Sequence, residues 1–415
     1  MSTDLSRTRA ELLDEGDPLA GFRDRFAIPE PDLIYLDGNS LGRLPVTTLP
    51  RLRRAVEEEW GRELIRGWTH WIELSRQVGD QIGTSLLGAR PGEVTLSDST
   101  TVNLYKLAAA ALAARPGRGV VVTDDDNFPT DRYVLAGLAP KVRLVHTDPD
   151  DGIRTADVLA ALDGDVALVS LSHLAYRSGA IADLPGITAA AHSAGALTLW
   201  DLSHSGGSVP IGLSASGADL AVGCTYKYLN AGPGSPAYLY VRADLADELR
   251  QPIQGWFGTL DQFAMGPDYV PAAGIDRFLV GTPPVFGAYA VAEGVAVLAE
   301  AGIERLRGKG MALTSYLVEL ADTWLAPLGF RLASPREAER RGSHVSLHHP
   351  QAWQICQAMT EAGIIADYRT PERLRLGPAP AYTRFVDVYD ALERIRDLVA
   401  GGAHERYPAQ PARVT

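Results

Sequence analysis

The sequence predicts an α/β protein built around a mainly parallel sheet, and three observations carry that expectation. Short β-branched and apolar runs alternate with Ala-rich stretches of helical length between about residues 120 and 241. The chain has 415 residues, enough for two or three domains and a large buried core. Hydrophobic residues make up 46% and charged residues 22%, the balance of a compact globular chain rather than a disordered or fibrous one.

Taken in order, residues 98–103 (Asp-Ser-Thr-Thr-Val-Asn) lead into an Ala-rich helix over 104–114. Small hydroxyl residues ahead of a strong helix former are an N-cap signature. Strands are expected at 120–123, 142–146, 166–172, 196–201, 219–225 and 237–241, with helices at 156–162 and 187–194 between them. This βαβ order covers both faces of the sheet. Pro271, Gly281, Pro283 and Pro284 then mark irregular loops. Beyond them, helical stretches at 291–306, 311–324, 352–362 and 386–399 alternate with short extended pieces, as in a smaller α+β domain. The expected organisation is an N-terminal segment, 1–45, that joins the small domain, a large α/β domain, 46–290, and a small C-terminal domain, 291–415.

Charge and composition narrow the function. Lys and Arg number 39 against 51 Asp and Glu, a net charge of −12 that opposes attraction to nucleic acid and anionic lipid. The longest apolar run, 107–114, falls well short of the ~18 to 20 residues that span a bilayer. Residues 1–18 lack the apolar core of a secretory signal. Two cysteines, Cys224 and Cys356, are too few for a disulfide framework or a cysteine-based zinc site, and a cytoplasmic protein is expected. His344, His348 and His349 have no carboxylate or cysteine at ligand spacing and read as the solvated edge of a strand, so no metal is expected. No dinucleotide or P-loop glycine motif is present. Gly38-Asn39-Ser40-Leu41-Gly42 fits the nucleophile-elbow pattern by letter, but Pro45 follows where that elbow needs a helix, so it reads as a plain turn.

Two constellations carry chemistry. The start of the helix after Asp98 offers free N–H groups and a positive dipole end to an anion such as phosphate; an ordinary cap fits the same residues. Asp201 ends one apolar strand run and Lys227 follows another, which puts both near the carboxyl edge where open α/β sheets bind ligands. A carboxylate and an amine there suit pyridoxal phosphate, the carboxylate holding the pyridine nitrogen protonated and the lysine forming a Schiff base. Spacing alone fits a surface ion pair equally.

At this point the residues resemble a known family. Gly223-Cys224-Thr225-Tyr226-Lys227-Tyr228-Leu229-Asn230-Ala231-Gly232-Pro233-Gly234 is similar to the lysine segment of the kynureninases, fold type I enzymes that use pyridoxal phosphate. Tyr35-Leu36-Asp37-Gly38-Asn39-Ser40-Leu41-Gly42, Phe128-Pro129-Thr130-Asp131, Trp200-Asp201-Leu202-Ser203-His204, Gly255-Trp256-Phe257-Gly258, Gly281-Thr282-Pro283-Pro284 and Arg375-Leu376-Gly377 follow the family pattern in order. Together they cover about residues 35–385.

The resemblance implies a fold type I architecture, with a mainly parallel seven-stranded sheet flanked by helices and a smaller α+β domain. It also implies roles. Lys227 would hold the cofactor and later move the substrate's α-proton, and Asp201 would pair with the pyridine nitrogen. Phe128 would stack on the ring with Asp131 nearby, and Thr100 and Thr101 would bind the phosphate, aided by Tyr226, Trp256 and Thr282. Ser172 and His204 would lie beside the ring. Arg375 would hold the substrate α-carboxylate in a two-pronged contact that suits arginine; Arg373 would share its strand face, so only the resemblance chooses between them. Trp68 and Ser40 would line the aromatic end of the substrate pocket.

The implied reaction is hydrolytic Cβ–Cγ cleavage of L-kynurenine to anthranilate and L-alanine, within tryptophan catabolism, with Tyr226 relaying a proton in the later steps. Homodimers with the active site at the interface are implied too, the partner supplying Trp256 and Thr282. Thr at 282 and Trp at 68, where some relatives have Asn and His, favour kynurenine over its 3-hydroxy derivative. The alternative is a class V aminotransferase or a cysteine desulfurase-like enzyme. Desulfurases need a nucleophilic cysteine on a mobile loop, whereas Cys224 falls in an expected strand and Cys356 in an expected helix. A non-catalytic ligand sensor would need an output module, and no basic helix-turn-helix segment is visible.

Overall fold

The structure is a computed structural model that describes residues 4–409. Its central sheet has seven strands: β1 (Val94–Leu96), β2 (Val120–Asp124), β3 (Lys141–Val145), β4 (Val166–Ser172), β5 (Leu197–Asp201), β6 (Leu220–Gly223) and β7 (Tyr238–Val241). Their order is β1-β7-β6-β5-β4-β2-β3. Only β7 runs antiparallel to its neighbours, so the sheet is mainly parallel, as expected. β4 reads Val-Ala-Leu-Val-Ser-Leu-Ser and is buried nearly throughout, the continuous apolar run of a strand covered on both faces.

Alternate residues feed two cores. Val121, Leu168, Leu199 and Val222 pack under α1 (Thr100–Ala113) and α2 (Pro129–Leu138). Val122, Val169, Leu171 and Trp200 face the other way, toward α3 (Leu184–Ser193) and α4 (Val285–Ala301). Local sequence explains the helix starts. The Ser99 hydroxyl accepts from Val102 N at 3.3 Å to cap α1, Asp183 accepts from Gly186 N at 3.0 Å to cap α3, and Pro129 sits in the first turn of α2, where no N–H is needed.

A continuous helix expected over 291–306 is instead two. α4 ends at Gly302, whose φ of +82° suits glycine, and α5 (Ile303–Leu320) leaves at 81°. Among the described residues no single helix is long and apolar enough to cross a membrane.

A third core gathers Leu313 and Leu317 of α5, Ile355 of α6 (Ala352–Glu361), Leu392 of α7 (Phe385–Ala400), and Val345 and Leu374. The last two lie on an antiparallel sheet of β8 (Arg331–Leu332), β9 (Val345–His348), β10 (Asp367–Arg369) and β11 (Arg373–Leu376), in the order β10-β11-β9-β8. Part of the N-terminal segment joins this core, while Leu19 and Phe26 pack in the larger one: Ile34–Tyr35 pairs in parallel with Ile364–Ile365, and Gly377 N donates to Leu36 O at 2.6 Å. The turn after Tyr35 is thereby fixed beside the end of β11.

Candidate active site

Ser172, Asp201 and Val222 stand side by side at the carboxyl ends of β4, β5 and β6. The strand expected to run to Thr225 ends at Gly223, and the chain turns there. Ala231 N donates to Thr225 O at 3.1 Å and Asn230 N to Lys227 O at 2.9 Å, with Asn230 at a φ of +58°. Lys227 is thereby presented at the same edge as Asp201. Thr100, Thr101, Phe128, Asp131, Ser172, Asp201, His204, Tyr226 and Lys227 line one cavity of about 190 Å³. Trp256 and Thr282 lie outside it.

Within the cavity Lys227 Nζ lies 2.9 Å from His204 Nε2, 6.0 Å from the centre of the Phe128 ring and 5.9 Å from that of Tyr226. Burial pushes the lysine pKa down, against the pull of Cys224 and Asp201, so its amine loses a proton more readily than a free lysine. Burial and the nearby Lys227 hold His204 neutral, able to accept at Nε2. Asp201 Oδ1 accepts from Ser203 N at 2.8 Å. Asp131 is pushed well above the ordinary carboxylate range, first by burial and then by Asp201, and its Oδ2 has no partner. Two buried carboxylates thus face one amine, and a protonated ring nitrogen held by Asp201 would supply the missing positive charge. The residues fit pyridoxal phosphate.

Sequence reasoning missed Asn127. Its Oδ1 accepts from Ser172 Oγ at 2.7 Å and Phe128 N at 2.8 Å, and its Nδ2 donates to Thr123 Oγ1 at 3.0 Å. One amide therefore fixes both Ser172 and the turn that carries Phe128. Phe128 meets Tyr176 edge to face at 5.3 Å between centroids. Burial, followed by Cys224, raises the Tyr226 phenol, so it stays protonated.

At the other end of the cavity, Thr100 and Thr101 open α1, where free N–H groups favour an anion. Behind them the fully buried Lys106 donates to Asp98 Oδ2 at 2.7 Å, Ser97 Oγ at 2.8 Å and Phe278 O at 2.9 Å. These bonds hold Asp98 at a φ of +43°, fixing the turn into α1. A second cavity, of about 540 Å³, shares Thr100, Thr101 and Tyr226 with the first and is also lined by Phe257 and Thr282. Trp68 lies half-buried 5.8 Å from both Phe257 and Trp71, and Trp256 packs on Phe257 at 4.6 Å. Trp68 and Trp256 thus form an aromatic group beside the second cavity.

Arg375 is 1% exposed. Its Nη1 donates to Tyr176 O at 2.7 Å, and its Nη2 donates to Ser40 Oγ at 2.9 Å and to Asp367. With its amide oxygen turned inward, Asn39 accepts from Nε at 2.8 Å and Nη2 at 3.0 Å. Ser40, expected at the aromatic end of the pocket, is thus at the guanidinium, because the turn after Tyr35 is tied to β11. Its hydroxyl also donates to Asp367 Oδ2 at 3.3 Å. Gly42 lets the same turn reach the lysine loop: Gly42 N donates to Tyr226 O at 2.8 Å, and a Cβ there would lie 2.3 Å from Lys227 O. Burial, with Asp367 adding, raises the neighbouring Asp37 to about 6. Arg373 is turned away, donating to Asp150 Oδ1 at 2.6 Å and Ala333 O at 3.2 Å.

His344, expected at a solvated edge, is fully buried, its ring 5.6 Å from that of His204. The strand end there is covered by the site rather than open to water. Cys224 and Cys356 are both buried and unpaired. Burial pushes the Cys224 thiol up and the Cys356 thiol up to about 12, opposite to what a thiolate nucleophile needs.

The chain is similar to known proteins. A family model described as "Kynureninase C-terminal domain" matches residues 306–395. Kynureninase of Pseudomonas fluorescens is 44% identical over 404 residues, 95% of each chain. Kynureninase of Burkholderia pseudomallei (strain 1106a) is 43% identical with the same coverage. Among solved structures, the apo cysteine desulfurase of Thermococcus onnurineus NA1 superimposes with a TM-score of 0.77 over 94% of this chain and 98% of that one, at 20% identity. The cystine C–S lyase C-DES in complex with cysteine persulfide gives 0.78 over 88% and 98%, also at 20%. At that identity the solved structures share the fold.

Proposed function

This chain belongs to the kynureninase family, and on that premise we propose that it uses pyridoxal phosphate to hydrolyse the Cβ–Cγ bond of L-kynurenine, giving anthranilate and L-alanine. The observation that carries the reading is the gathering of Lys227, Asp201, Thr100 and Thr101 around one cavity, with Arg375 bonded to Tyr176 in its wall. When bound, the cofactor supplies an aldehyde for amines and a ring that takes up electrons from bonds at Cα.

The chain's own residues do the rest. Asp201 holds the proton at the ring nitrogen, and Phe128 covers the ring face. Thr100 and Thr101, with the start of α1, take the phosphate. Arg375 binds the α-carboxylate and so orients the Cα–H bond toward Lys227, whose lowered pKa suits it to take that proton. The neutral His204 is placed to share the proton at Nζ. Water adds its oxygen to the γ-carbon, which leaves as the carboxylate of anthranilate, and the β-carbon gains a proton. Tyr226, protonated at the edge of both cavities, is the relay for that step.

Trp256 and Thr282 act in this reading from a second copy of the chain. Support comes from the exposed apolar side chains Trp256, Phe263, Met265 and Phe286, 41–76% accessible, with Trp256 packed on Phe257 of the second cavity. If two copies share their sites, mixing the inactive Lys227→Ala chain with an inactive Thr282→Arg chain restores activity; no recovery on mixing contradicts shared sites.

The same reading keeps 1–45 and 291–415 as a small unit around 46–290. Pairing of Ile34–Tyr35 with Ile364–Ile365 supports it. Val291, Val295 and Leu298, and Leu306 beyond Gly302, pack in the large core, however. Two buried, unpaired thiols fit a reducing compartment such as the cytoplasm. Thr282 and Trp68 offer fewer polar partners to an extra hydroxyl than Asn and His would. The expected kcat/KM is therefore higher for L-kynurenine than for 3-hydroxykynurenine; an equal or reversed ratio contradicts this specificity.

A further inference from the structure

Arg375 has no free pair of donors. Asn39 takes the Nε–Nη2 edge, Tyr176 O takes Nη1, and Ser40 and Asp367 share Nη2. An arriving carboxylate makes a two-pronged contact only if one of these groups leaves. Of the four, Asp367 alone carries a charge of the same sign as the newcomer. It sits opposite Arg375 across the β10–β11 pair, on a three-residue strand at the edge of its sheet. It also has a second cation already in reach: Arg369 Nη2 lies 2.9 Å from Asp367 Oδ2, and the Arg369 side chain is 35% exposed. Ser40, by contrast, is a neutral donor and acceptor that bonds either carboxylate.

A buried arginine without an anion is costly, and so is a buried carboxylate without a cation. Before substrate binds, Arg375 and Asp367 satisfy each other. Once substrate binds, the α-carboxylate takes over Arg375 and Arg369 keeps Asp367, so no buried charge is left alone at any stage. We propose that Asp367 is an internal counter-ion that the substrate's α-carboxylate displaces from Arg375 onto Arg369, making entry to the site an exchange of anions. The inference rests on reading Arg375 as the carboxylate receptor. It makes Asp367 and Arg369 specificity-determining residues, because a ligand without that carboxylate has nothing to exchange.

The test uses holoenzyme, with L-alanine and L-alaninamide as probes whose binding is followed by cofactor absorbance. In D367N the competing charge is gone, so L-alanine should bind several-fold tighter and KM for L-kynurenine should fall, with L-alaninamide unchanged. In R369Q the displaced carboxylate has no second cation, so L-alanine should bind several-fold weaker, again without change for the amide. Arg369 is half-exposed, so that variant keeps the site testable if D367N folds poorly. Weaker L-alanine binding in D367N, or equal shifts for both probes in either variant, would overturn the exchange and leave Asp367 a fixed support of Arg375. R375Q separates the two layers. If it still distinguishes L-alanine from L-alaninamide, the receptor reading itself fails; if it does not, while D367N and R369Q miss their expected shifts, only the exchange fails.

Discussion

Replacing Lys227 with alanine is expected to lower kcat for L-kynurenine by at least ~10⁴-fold, since in the proposed function one side chain both carries the cofactor and moves the proton at Cα. No neighbour can stand in for it. His204 is the one base in contact with Nζ, but burial and the adjacent charge keep its own proton affinity low. Among the described residues, the only other amine in this region, on Lys106, is committed to Asp98, Ser97 and Phe278 behind the turn into α1. The fold should survive, because Lys227 is partly exposed to the cavity and makes no bond that holds the loop; the Asn230 and Ala231 amides do that. Unchanged thermal unfolding together with lost turnover is the expected pair of results. Residual activity above a thousandth of the parent would mean that another group moves the α-proton.

Arg375→Gln is expected to raise KM for L-kynurenine by roughly 30- to 1,000-fold, corresponding to about 2–4 kcal/mol for a buried charge pair that loses one partner. The loss should fall on KM more than on kcat, because the proposed contact to the α-carboxylate would be made both before and during bond breaking. Stability should fall as well: Asp367 then leans on Arg369 alone, and Asp37, already raised to about 6 by burial and by Asp367, loses a nearby cation. Steady-state kinetics alongside thermal unfolding separate the two effects. A KM within threefold of the parent would place the α-carboxylate elsewhere.

Much of this was readable from residue order, for physical reasons. Asp201 and Lys227 each follow an apolar strand run, and parallel strands deliver such ends to one edge; the observed register puts Asp201 beside Ser172 and Val222. Ser99 and the two threonines announced a helix start because caps are local chemistry. What depends on register across distant strands was not readable. Asp367 and Arg375 are eight residues apart, and nothing in their spacing says they face each other across an antiparallel pair. Arg373 and Arg375 share a strand face, yet only the packing shows that one reaches Asp150 and the other Tyr176. Asn127 gave no signal, since a lone amide in a turn is ordinary until its three partners are seen. His344 misled because a histidine ahead of a strand is more often wet than buried. The break at Gly302 was hidden by apolar residues on both sides of it, which kept the helical pattern running through a residue whose φ of +82° ends it.

The measurement that bears most directly on the function is product analysis of holoenzyme given L-kynurenine and, separately, L-cysteine. Anthranilate and L-alanine formed in equal amounts from L-kynurenine, absent with the Lys227→Ala chain, and no sulfide from L-cysteine, is the predicted result. Cofactor bound at Lys227 without turnover of L-kynurenine, accompanied by sulfide release from L-cysteine, would contradict it.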